Sequence, residues 1–118
     1  MLLDKILIAI VAFEHLYFLY LEMFAWTKPR TRKNFGLTEE FAIASKTLAA
    51  NQGLYNGFLA AGLIWSLIAP VELAKPLSIF FLSCVFIAGA YGGATVNKRV
   101  FFLQGMPALV ALGLNLFV

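Results

Sequence analysis

The sequence predicts an all-α integral membrane protein, a four-helix bundle with four transmembrane helices and both termini extracytoplasmic. Three observations carry that prediction. First, hydrophobic residues make up 62% of the 118-residue chain and charged residues only 13%, against roughly 45–50% apolar and about 25% charged in soluble domains. With a mean hydropathy of +0.87, so small a globule has too much surface to hide its apolar residues from water. Second, the apolar residues gather in stretches of about 20, the length a membrane helix needs. Third, Lys and Arg are segregated among the connections. The same composition excludes a disordered chain. A surplus of 9 Lys+Arg over 6 Asp+Glu, scattered along the chain, is too small for nucleic-acid binding. The single Cys84 excludes an intrachain disulfide.

The spans expected are about 6–26, 47–69, 77–96 and 101–118, forming one transmembrane domain over 1–118. The first is read as a retained helix: it opens on a balanced Asp4–Lys5 pair, contains Glu14 and His15, and is followed by no small-residue cleavage site. Pro29 follows the first span, Pro70 closes the second and Pro76 precedes the third, all suited to helix boundaries. Thr38 before Glu39 and Glu40 reads as an N-cap, so the second helix is expected to begin near Glu39. Pro107 lies inside the fourth span and predicts a kink or a distorted first turn.

Orientation follows from the cations. Lys28, Arg30, Arg32, Lys33 and Lys46, with Lys98 and Arg99, fall on one side, and only Lys5 and Lys75 on the other. The positive-inside rule places the first group in the cytoplasm. Trp26 and Phe35 suit that interface and Trp65 the opposite one.

Polar residues within the spans are the informative ones, because an intramembrane acid costs about 2.5–3.5 kcal/mol on insertion scales and such groups face the bundle interior or a water-filled cavity. They are Glu14, His15 and Glu22 on the first span, Asn51, Gln52, Tyr55 and Asn56 on the second, Tyr91 on the third and Gln104 on the fourth. His15 and Glu22, seven apart, share a helix face, and the second-span residues form one polar arc of about 140°. At 1.5 Å per residue, Glu22, Asn51, Asn56, Tyr91 and Gln104 lie about 5–13 Å inside the cytoplasmic boundary, and Glu14 and His15 about 17–18 Å inside. These nine residues predict a ligand-binding pocket open to the cytoplasm, with Glu14 and His15 as proton-handling candidates at its floor. The opposite half is expected to consist of Leu, Ile, Ala and Phe. Gly53-xxx-Gly57 and Gly89-xxx-Gly93 are small-residue patterns that allow close helix approach. The plainer alternative is a hydrogen-bond network holding the helices together, worth about 0.6 kcal/mol per bond. Two acids and the chain's one histidine on a single helix favour a functional pocket.

Several chemistries are excluded. One histidine and one cysteine do not make a metal centre. There is no Gly-rich phosphate loop and no CxxC pair, so no cofactor is expected.

Three stretches carry a family resemblance: Glu14-His15 with Glu22-Met23, then Asn51-Gln52-Gly53-Leu54-Tyr55-Asn56-Gly57, then Gln104-Gly105-Met106-Pro107-Ala108. In order and spacing they resemble the domain of unknown function 1304 family, small bacterial integral membrane proteins with four helices. The resemblance covers nearly the whole chain and implies the four-helix fold and a multi-pass place in the bacterial cytoplasmic (inner) membrane. It implies no activity and no site residues. From the residues themselves, the leading function is binding of a small amphipathic or cationic molecule, with proton-coupled transport by a homodimer as its extension and membrane lipid as the surrounding partner. The alternatives are an intramembrane acid–base enzyme acting on a lipid-like substrate, or an accessory subunit of a membrane complex.

Overall fold

The structure, a computed structural model, describes residues 2–117. All regular structure among them is helical: α1 Leu2–Phe24, α2 Pro29–Phe35, α3 Glu39–Ala44, α4 Lys46–Ile68, α5 Val71–Thr95, α6 Lys98–Val100, a π-helical turn Phe101–Gly105, and α7 Met106–Phe117. Among the described residues, three helical runs are long and apolar enough to cross a membrane: Leu2–Phe24, Val71–Thr95 and Lys98–Phe117. At 23 residues α4 is as long as α1, but Asn51, Gln52 and Asn56 dilute its apolar character.

The prolines act at three different places. Pro29 is the first residue of α2, where its missing N–H would have no helical partner. Pro70 caps α5, so that helix starts at Val71 and Pro76 lies inside it. This corrects the expectation that Pro76 precedes the third helix. Pro76 is the sixth residue of α5, so the hydrogen bond it cannot make is the one to the Glu72 carbonyl four residues back. Before Pro107 the helix widens into the π-helical turn, and the Met106 amide donates to the Phe101 carbonyl five residues back. This is the distorted first turn expected from the sequence, placed where a proline ring disturbs an α-helical ladder.

The chain divides into two compact units, one within Met1–Phe13 and Leu59–Val118, the other Glu14–Phe58. The core of the first unit is Ile8, Val11 and Ala12 of α1, Leu63 of α4, Leu82 and Val85 of α5, and Ala108 and Ala111 of α7. Glycine brings α5 close to the segment that follows it. A methyl group at Gly92 would stand 2.6 Å from Val100 Cγ1, and one at Gly93 would stand 2.6 Å from Phe101 Cβ. At Gly89 it would strike the backbone of Gly105. In lipid, where apolar burial between helices gains little, this close backbone contact is what holds helices together. Gly113 has open space around it. Gly113→Ala is therefore expected to leave the protein intact or stabilise it by about 0.5–1 kcal/mol through helix propensity, and a lowered midpoint of thermal unfolding in detergent would contradict that.

In the second unit, the side chain of Thr38 accepts from the Phe41 amide and caps α3, as the sequence predicts. The helix does not continue unbroken into α4, because Ser45 interrupts it. Its hydroxyl donates to the Phe41 carbonyl at 2.6 Å and accepts from Trp26 Nε1 at 3.0 Å. The Trp26 ring also packs on Phe35, with centroids 5.4 Å apart. Gly36 ends α2 in the left-handed conformation at φ 67, which favours glycine.

Candidate functional site

Within Glu14–Phe58, the C-terminal half of α1 meets the N-terminal half of α4. Gly53, Asn56 and Gly57 are spaced i, i+3, i+4 and so share one face of α4; Leu19, Glu22 and Met23 share a face of α1 in the same way. The two faces are in contact. A methyl on Gly53 would lie 2.7 Å from Met23 Cγ, 3.0 Å from Glu22 Cβ and 3.2 Å from the Leu19 carbonyl oxygen, and one on Gly57 would lie 2.6 Å from Leu19 Cδ1. The two glycines thus remove the side-chain bulk that would separate the helices. Between them Asn56 Nδ2 donates to Glu22 Oε1 at 2.5 Å. Asn56 is buried and Glu22 half-buried. The amide occupies one oxygen of the Glu22 carboxyl group, and the second oxygen has the capacity to meet another partner.

The other predicted residues fall into distinct settings. Glu14 is half-buried, and its Oε1 is buried without a hydrogen-bond partner. His15 is fully buried and meets the Phe18 ring edge-on at 5.3 Å. Asn51, Gln52 and Tyr55 are exposed on α4. The polar arc read from the sequence is therefore split: Asn56 alone turns inward to Glu22, while the other three lie on the surface of the chain. In the first unit, Tyr91 is 71% exposed on α5, and Gln104 lies half-buried in the π-helical turn. Among the described residues, no group of three His, Cys, Asp or Glu side chains is placed to hold a metal ion.

One expectation needs correction. The half of the spans away from the predicted pocket is not purely Leu, Ile, Ala and Phe. Asp4, Ser66, Ser78 and Asn115 are buried, and all of them line a cavity of about 290 Å³ in the first unit. Sequence reasoning passed over Ser66, Ser78 and Asn115 because each stands alone in an apolar stretch. The available signal was that all three, with Asp4, fall near those ends of the four expected spans that alternation of direction puts on one side.

Three helices of spanning length and apolarity, with carboxylate and amide groups within the helical spans, place the chain in the class of small, all-helical membrane proteins. It belongs to the family described as Protein of unknown function (DUF1304), which matches residues 9–116, the family expected from the three polar stretches. The chain is 35% identical over 116 residues to "Uncharacterized protein YpaA" of Lactococcus lactis subsp. lactis (strain IL1403), covering 94% of each chain. No solved structure matches.

Proposed function

We propose that the protein crosses the bacterial cytoplasmic membrane four times, with both termini outside, and that its Glu22–Asn56 centre binds a small amphipathic or cationic molecule reached from the cytoplasm. The observation that carries this is the Glu22 carboxyl group held by Asn56 Nδ2 at 2.5 Å, on a close helix contact where Gly53 and Gly57 face Leu19 and Met23. An intramembrane carboxylate is costly and characteristically marks a solute or proton path. Glu14, with an unpartnered buried oxygen, supplies a second acidic group on the same helix, beside the buried His15. Adjacent acid and imidazole are the residue types of a proton relay, so coupling of transport to proton movement is the natural extension.

The length of α4, equal to that of α1, supports a fourth span whose polar residues belong to the function. Asn51, Gln52 and Tyr55, exposed on that helix, are the groups that a ligand or a second copy of the chain would cover. A homodimer joined there would satisfy amides otherwise left in lipid.

The test uses a lipophilic cation, tetraphenylphosphonium, and equilibrium dialysis against the full chain in detergent. Saturable binding is expected for the wild type, weakened by about 10-fold or more in Glu22→Gln, which removes the counter-charge that the site offers a cation with no hydrogen to donate. Equal binding by the two proteins would remove Glu22 from the site.

A further inference from the structure

The first unit holds a polar cavity whose lining includes neither Glu22 nor Asn56. It lies where α1 begins, α4 ends, α5 begins and α7 ends, and its volume is about 290 Å³. That is near the lower end of ligand sites, about 300 Å³, and suits one head group or one small solute.

The chemistry of its walls can be read atom by atom. The Ser78 hydroxyl donates to the Lys75 carbonyl at 2.9 Å. Its single hydrogen is thereby engaged, so towards Asn115 it can only accept, and Asn115 Nδ2 donates to it. This sets the amide's orientation and leaves Asn115 Oδ1, on a side chain only 5% exposed, without a hydrogen bond among the described residues. The Ser66 hydroxyl donates to the Leu63 carbonyl at 2.5 Å, so it too has only acceptor capacity left. Asp4, 9% exposed, adds a carboxylate that accepts from the Lys5 amide at 3.0 Å. The buried wall is thus rich in acceptors. The exposed lining residues Lys5 and Lys75 contribute ammonium donors.

We propose that this cavity binds a small zwitterion carrying a primary ammonium and an oxyanion a few bonds apart. The ammonium N–H groups meet Asn115 Oδ1 and Ser66 Oγ in the buried wall, and the oxyanion meets Lys5 and Lys75 at the rim. A lysine rim alone is no such signal, because lysines at helix ends commonly reach for the membrane surface. What distinguishes the cavity is a buried amide residue, Asn115, whose carbonyl oxygen makes no hydrogen bond among the described residues.

That chemistry has two sources, a phosphoethanolamine lipid head group and a free zwitterion, and one experiment separates them. The full chain in detergent is mixed with equal amounts of phosphatidylethanolamine, phosphatidylcholine and phosphatidylglycerol of the same acyl chains, and retained lipid is counted by native mass spectrometry. Choline keeps the positive charge but has no N–H to donate, and glycerol has no cation. Phosphatidylethanolamine is expected to be retained about 10-fold over both, as the loss of a charge-assisted hydrogen bond implies. Asn115→Ala should abolish the preference over phosphatidylcholine. Lys75→Gln, on an exposed side chain where folding is not at stake, should lower retention of phosphatidylethanolamine. Soluble phosphoethanolamine that binds, with the same dependence on Asn115 and Lys75 but without any lipid preference, would support the site and assign it to a free solute. Equal retention of all three lipids with no binding of phosphoethanolamine would overturn the proposal, as would a preference unchanged in both variants.

Discussion

Replacing Gly89 with alanine is expected to destabilise the protein by about 3 kcal/mol, the upper part of the range for overpacking a tight contact. The added methyl would strike the backbone amide and Cα of Gly105, and backbone has no rotamer to move into. Gly92→Ala, three residues on, is the internal control. There the methyl would meet Val100 Cγ1 at 2.6 Å, the end of a side chain, and the loss should be about 1 kcal/mol once that side chain shifts. Thermal unfolding of both variants in one detergent measures the difference. Equal midpoints would show that α5 and the π-helical turn are not held by the Gly89–Gly105 contact.

The second large effect is expected at Gly53. Gly53→Val places a branched side chain where even one methyl would lie 2.7 Å from Met23 Cγ and 3.2 Å from the Leu19 carbonyl oxygen. Part of that obstruction is backbone, so α1 and α4 must separate, and the Asn56–Glu22 hydrogen bond at 2.5 Å lies on the same contact. A loss of about 2–3 kcal/mol is expected from the crowding, together with loss of any molecule bound at Glu22. Glu22→Gln behaves differently. It keeps the shape of the side chain and an acceptor for Asn56, so stability should change by less than about 1 kcal/mol while binding falls. Stability and binding falling together in Gly53→Val, but separately in Glu22→Gln, would distinguish a site from a structural bond. A Gly53→Val protein as stable as the wild type would contradict the close approach.

The helices were largely legible because their signals are local. Three of the four expected apolar runs, Thr38 before two acids and Pro107 in the last helix each predicted a feature the structure contains, whereas α4 has the expected length without the apolarity. Pro76 was misplaced because a proline early in a helix and one just before it look alike in sequence; that Pro70 supplies the cap emerges only from the backbone. Ser45 was unreadable for a different reason: it interrupts the helix where Trp26, 19 residues earlier, bonds its hydroxyl.

The polar residues show the same division. Helical spacing placed Asn51, Gln52, Tyr55 and Asn56 on one arc. Spacing cannot say where along the arc the neighbouring helix lies, and only Asn56 meets Glu22. The Gly53 and Gly57 pattern held the missing information, since these two glycines share Asn56's face and the partner helix lies against them. Asn115 and Ser78 are easily passed over because each is a single polar residue among apolar neighbours, and they pair across 37 positions.

The central claim is that Glu22 and Asn56 hold a molecule. Native mass spectrometry of the protein released directly from its own membranes, wild type beside Glu22→Gln and Asn56→Ala, tests it most directly. A discrete added mass on the wild type, absent from both variants while both stay folded, is the predicted result, and the mass would name the ligand's class. Bare protein in all three samples, with both variants badly destabilised, would make the Glu22–Asn56 pair a structural bond and contradict the claim.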